Sequence, residues 1–86
     1  MIPTQEIENQ LQTFLQREVF APEVAVTPET DLVATGFDSM SLVRTLVFIE
    51  TTYGLWIPEG EITGDALRNL RALAVTVSRL LNARVQ

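Results

Sequence analysis

Ile7, Leu11, Phe14 and Leu15 recur at spacings of four, three and one, with Glu8, Gln12 and Gln16 between them. That is the period of a helix with one apolar face, and it predicts a first helix over residues 4–18. Pro3-Thr4 followed by Glu6 supplies the start, a capping hydroxyl and then a carboxylate in the positive first turn. Pro22 sets the far limit. From residue 20 to 38 the period is lost, and Pro22, Pro28 and Gly36 mark a connection too long for a passive loop. Val24, Val26, Leu32, Val33 and Phe37 are expected to pin it to the core. Thr30-Asp31-Leu32 reads as a local turn, with Asp31 capping and Leu32 buried, and the flanking prolines argue against a strand at 24–26.

A second helix is expected to start at Asp38 or Ser39 and run to Tyr53, with Asp38 as N-cap, Gly36 permitting the bend and Gly54 ending it. Val43, Leu46, Ile49 or Glu50, and Tyr53 form the expected buried seam, with Leu42 on its flank. Met40, Val47 and Phe48 are left near a rim with Arg44 and Thr51. A helix apolar around most of its girth is either buried on several sides or shows part of itself to a partner. Leu55-Trp56-Ile57-Pro58 reads as extended, since a residue before proline avoids the helical region. Residues 63–67 make a short helical turn capped by Thr63. Asn69 then caps a last helix with a stripe of Leu70, Leu73, Ala74, Val77 and Leu80 or Leu81, placing Arg71, Ser78, Arg79 and Asn82 opposite. The reading is all-α: three longer helices, one short, and a long loop between the first and second, in one domain over residues 1–86.

Composition narrows the chemistry. With 86 residues, 47% of them apolar, the chain can bury one modest core. It has no cysteine and no histidine, so it lacks a disulfide framework, a thiol nucleophile, the usual zinc ligands and the commonest general base. A self-contained enzyme is not expected. The formal charge is −5, and all eleven acids fall before residue 66, against only Arg17 and Arg44. Arg68, Arg71, Arg79 and Arg84 follow with no acid among them, and read as solvated helix-face cations. Such an acidic chain repels nucleic acid. The start shows no signal-peptide pattern, and residues 42–49, the most apolar run, are broken by Arg44 and far short of a membrane span. A cytoplasmic monomer is the expectation.

Ser39 stands where the loop ends and the apolar helix begins. As a hydrolase nucleophile it lacks a base, and Gly-x-Ser-x-Gly is absent. Asp-Ser before an apolar run is usually a simple cap. One use needs no local base, which is modification by another enzyme, and a phosphodiester at this place would meet the positive end of the helix.

Gly36-Phe37-Asp38-Ser39-Met40 resembles the Gly-x-Asp-Ser-Leu signature of acyl and peptidyl carrier proteins, with Met for Leu. Thr30-Asp31-Leu32, Ile57-Pro58 and Asn69-Leu70-x-Ala72-Leu73-Ala74 extend the likeness over residues 5–82. The resemblance implies a four-helix carrier bundle without catalytic activity. It implies that Ser39 receives 4′-phosphopantetheine from coenzyme A through a phosphopantetheinyl transferase, and that Asp38 and Met40 serve its recognition, Asp38 near the transferase's magnesium. Where fatty-acid carriers are acidic, around Ser41, Arg44 and Phe48, this chain is not. That departure implies a more apolar docking face of Met40, Arg44 and Val47, with Phe37 from the loop.

Ser39-Met40-x-x-Val43-Arg44, Leu46-Val47-x-Ile49, Ile57-Pro58 and Ile62-Thr63-Gly64 are most similar to stand-alone prolyl carrier proteins. The implied cargo is L-prolyl, oxidised on the arm to pyrrole-2-carboxyl in a natural-product pathway akin to nonribosomal peptide and antibiotic biosynthesis. The implied partners are a proline-adenylating ligase, a flavin-dependent dehydrogenase, and a downstream acyltransferase or ketosynthase. Another amino acid such as D-alanine, a polyketide acyl group, or an unmodified helical docking domain are the alternatives.

Overall fold

The computed structural model describes residues 2–85. Among them lie four α-helices and no strand: α1 Thr4–Phe14, α2 Leu32–Thr35, α3 Ser39–Tyr53 and α4 Leu70–Val85. The all-α, three-long-and-one-short architecture is as expected, but the short helix sits elsewhere. It lies within the first loop, whereas residues 64–67 form only a turn, with Thr63 Oγ1 accepting from the Ala66 amide at 3.2 Å. A 3₁₀ turn, Glu59–Glu61, precedes it.

α1 buries Ile7 and Leu11 and packs along α4, whose Leu70, Leu73, Ala74, Val77 and Leu81 complete that half of the core. Two expectations about this contact are corrected. Thr4 does not cap α1; its hydroxyl donates to Ser78 Oγ at 2.8 Å. Ser78 is accordingly buried between the helices and does not lie on the solvent side. Glu8 is also buried rather than opposite the stripe, because Arg71 of α4 reaches it at 3.5 Å.

Past Phe14 the helix widens into one π turn, Leu15–Val19, closed by the Phe20 amide donating to the Leu15 carbonyl at 2.9 Å. Gln12 and Gln16 then do what no β-ladder does here. Gln12 Nε2 donates to the Val26 carbonyl at 2.8 Å and Gln16 Nε2 to that of Val24 at 2.7 Å, while Gln16 Oε1 accepts from the Val26 amide at 3.0 Å. A segment without secondary structure thereby has its backbone groups satisfied. At its far end the Arg71 amide donates to the Pro28 carbonyl at 3.0 Å, and the Arg71 guanidinium pairs with Glu29 at 2.8 Å.

α2 has four residues and both ends closed. Asp31 Oδ1 accepts from the Ala34 amide at 3.0 Å. The Gly36 and Phe37 amides return to the Val33 and Leu32 carbonyls at 3.1 and 2.9 Å, a Schellman arrangement in which Gly36 takes φ 113°. The apolar contact that accompanies this motif is Leu32 with Phe37, both buried. Val33, expected to pin the loop, points outward instead.

In α3 the core positions are Thr45, Ile49 and Tyr53, flanked by Leu42 and Leu46. Val43 was expected in that seam and is 51% exposed, whereas Thr45 is fully buried. A β-branched hydroxyl residue fits there because its Oγ1 donates to the Ser41 carbonyl at 2.8 Å, leaving no unsatisfied polar atom. Tyr53 donates its hydroxyl to Gln10 Oε1 of α1, and burial, with Glu6 nearby, pushes its pKa up to about 12. Gly54 ends the helix at φ 65°. Leu55 and Ile57 then turn inward and Trp56 outward.

The four late arginines were read as solvated; those whose side chains are described are paired. Besides Arg71, Arg79 pairs with Glu61 and Arg68 with Asp65 at 4.0 Å. Exposed pairs of this kind contribute roughly 0–1 kcal/mol each. Their larger effect is to place the basic C-terminal part of the chain on the acids of the earlier part.

Candidate functional site

The route to the site is set by backbone geometry. Gly36 reverses the chain after α2, Phe37 drops into the core against Phe20 with ring centroids 6.4 Å apart, and Asp38 opens α3. Asp38 Oδ1 accepts both the Ser41 amide and the Ser41 hydroxyl, each at 2.9 Å. The carboxylate therefore spends its capping capacity two residues beyond Ser39.

Ser39 is the first residue of α3 and is exposed, and its hydroxyl makes no hydrogen bond among the described residues. A shallow depression of Phe37, Asp38, Ser39, Leu42 and Leu67 surrounds it. The chain has no histidine to activate the oxygen, and the neighbouring Asp38 carboxylate is taken up by Ser41. A phosphodiester fits the place in charge and access, being anionic, at a helix N-terminus and open to solvent.

The hydrogen bonds from the Ser41 amide and hydroxyl hold the Asp38 carboxyl below its ordinary value of 3.8; the amides of Asp38 and Met40 add to this, and slight desolvation opposes it. A lowered folded-state pKa means that the ionised cap stabilises the fold fully above the unfolded value and loses that contribution as pH falls through the folded one. Asn also caps well, so Asp38→Asn isolates the charge. Its stability deficit against wild type should be constant at neutral pH and shrink only in the acid range below about 4. Thermal unfolding followed by circular dichroism across that range measures it; a deficit that stays the same through the acid range would mean that folding leaves the carboxyl's pKa unshifted.

Along the outer face of α3, Met40, Val43 and Val47 are 66%, 51% and 54% exposed, an apolar stripe at spacings of three and four. Arg44 lies beside it, 3.7 Å from Glu18 of the π turn. Met40, Arg44 and Val47 thus share a surface. Phe37 does not join them: it was expected to touch partners and is a core residue, 7% exposed, because the Schellman turn aims it inward. Val43 was missed because a helix apolar on most sides gives no phase; the hydroxyl of Thr45 was the overlooked clue. Phe48 is half-buried, stacked on Phe14 with centroids 4.3 Å apart and planes 15° apart.

Among the described residues no helix is long and apolar enough to cross a membrane, and no group of carboxylates is arranged to hold a metal ion. No curated protein sequence matches the chain. Among solved structures, the chain is similar to one in the crystal structure of Bradyrhizobium japonicum glycine:[carrier protein] ligase complexed with glycylated carrier protein. That match has a TM-score of 0.64 and 26% identity, covering 85% of this chain and 96% of the other. Near-complete coverage of both chains fits the small carrier of that complex.

The family model described as a phosphopantetheine attachment site matches residues 5–80. Such domains carry 4′-phosphopantetheine covalently and are acyl or aminoacyl carriers, not catalysts. With nearly the whole chain covered and the helical fold in agreement, the protein belongs to this family of phosphopantetheine-bearing carrier proteins.

Proposed function

We propose that the chain is an aminoacyl carrier whose Ser39 oxygen bears the phosphopantetheine. The observation that carries this reading is the free, exposed hydroxyl of Ser39 at the start of α3, in a fold similar to the carrier of an amino-acid ligase complex. In the transfer, a bond forms from Ser39 Oγ to the β-phosphorus of coenzyme A and the pyrophosphate linkage breaks. Adenosine 3′,5′-bisphosphate leaves, and the hydroxyl proton goes to the transferase. The group supplies a thiol on a flexible arm, which holds the amino acid as a thioester. Asp38 fixes the first turn of α3 so that Ser39 points outward, and it presents a carboxylate to the transferase. Met40, Val43, Arg44 and Val47 form the face that partners meet.

The cargo proposed is L-prolyl, oxidised while bound to pyrrole-2-carboxyl, on the strength of the Ser39-Met40-x-x-Val43-Arg44 and Ile62-Thr63-Gly64 elements. The partners are then an adenylating ligase, a flavin-dependent dehydrogenase and a downstream acyltransferase or ketosynthase. A second reading, another amino acid, is favoured by the glycine ligase complex. Treatment with coenzyme A and a broad transferase, then with adenylating ligases and an amino-acid panel, tests both under intact-mass detection. The expected result is a gain of one phosphopantetheine and then one prolyl group. Glycine loading without proline would select the second reading, and no gain in the first step would overturn the carrier assignment to Ser39.

A further inference from the structure

Between α1 with its π turn and α3 lie two adjoining apolar grooves that the attachment chemistry does not use. One is lined by Gln10, Thr13, Phe14, Arg17, Phe48 and Thr52 among others. The next takes in Val43, Arg44, Val47 and Thr51 and shares Phe14, Glu18, Phe48 and Thr52 with the first. The stacked Phe14–Phe48 pair lies between them. π turns inside helices recur at functional positions, and this one carries both Arg17 and Glu18.

The charges on these grooves are unusual for the chain. Arg17 makes no ion pair among the described residues, and Arg44 reaches Glu18 only loosely, at 3.7 Å with both side chains at least half exposed. Arg68 is held as loosely, 4.0 Å from an almost fully exposed Asp65, whereas Arg71 and Arg79 are committed to acids of the same chain. A molecule of net charge −5 thus keeps Arg17, without an ion pair among the described residues, and the loosely held Arg44 on either side of one apolar groove pair.

We propose that these α1–α3 grooves are the docking site for the amino-acid ligase, which presents an apolar side chain to the Phe14–Phe48 ridge and carboxylates to Arg17 and Arg44. The proposal rests on the carrier reading. Glu18 then competes with the partner's carboxylate for Arg44, so that removing its charge strengthens docking. Complementary charges at a contact act mainly on encounter and specificity, and their effect falls with salt.

The test uses the ligase that loads the wild-type chain in the amino-acid panel, with every variant purified in its phosphopantetheine form so that modification does not enter the rate. Arg44→Glu and Arg17→Glu should each lower kcat/KM for loading by about 10-fold, through KM. Glu18→Gln should raise it by roughly 2–3-fold. Thr52→Trp, which fills both grooves from an exposed position without adding charge, should lower it with the helical circular dichroism unchanged. Wild-type loading should weaken as salt rises, and Arg44→Glu should lose that dependence. Arginine variants within twofold of wild type, or a Glu18→Gln that loads more slowly, would overturn the proposal. Failure of the carrier reading shows separately, as a wild-type chain that gains no mass from coenzyme A.

Discussion

Ser39→Ala should abolish phosphopantetheine attachment, and with it all loading, while unfolding within about 0.5 kcal/mol of wild type. The two halves of this expectation come from one geometry. Removing an N-cap hydroxyl ordinarily costs about 1 kcal/mol, but here Asp38 is the cap and Ser41 receives it. Ser39 Oγ makes no internal hydrogen bond to lose and is already in water. Ser41→Ala is the matched control: it deletes the hydroxyl that Asp38 accepts from, and should lose some stability while still gaining the mass of the arm. Intact mass after transferase treatment, with thermal unfolding of the same samples, reads both. A Ser39→Ala variant destabilised by more than 1 kcal/mol would make Ser39 structural, and one still modified would place the arm elsewhere.

Leu32→Ala should be the most damaging change near the site that touches no chemistry, costing about 2–5 kcal/mol. A chain of this length has roughly 5–12 kcal/mol of stability in all. Four residues cannot hold a helix by propensity; α2 persists because its ends are capped and because Leu32, its buried residue, is fully enclosed by the core. Without that side chain the loop loses its central anchor, and the Phe37 contact across the Schellman turn goes with it. The neighbouring Val33→Ala, at a 62% exposed position, should move the urea midpoint hardly at all. Equal midpoints for the two variants would show that capping alone sustains α2.

The sequence made α1, α3 and α4 legible because each carries an apolar period, and the bounds of α3 from Ser39 to Tyr53 follow directly from the Asp38 cap and from Gly54, able to take positive φ. The location of Ser39 was legible for the same reason. What the pattern concealed were contacts made by polar residues toward the interior. Thr45, Ser78 and Glu8 look like solvent positions by residue type, and each is buried because a carbonyl, a threonine hydroxyl or an arginine waits for it. α2 was hidden by its brevity, although Asp31 and Gly36, which close it, were both noted as turn-makers. The exposed face of α3 was half legible: Met40, Arg44 and Val47 came from position, while Val43 and the Glu18 contact needed the phase of α3 and the path of the π turn.

The glutamine clamps on residues 24–26 hold backbone atoms and read no side chain of the segment they secure. Ala25, exposed between the two gripped carbonyls, is therefore a natural mounting point. In a chain without native cysteine, Ala25→Cys would give the apo-carrier a single addressable thiol, on a bracket fastened to α1. A dye fixed there could report the arrival of a binding protein without occupying Ser39 or the exposed face of α3.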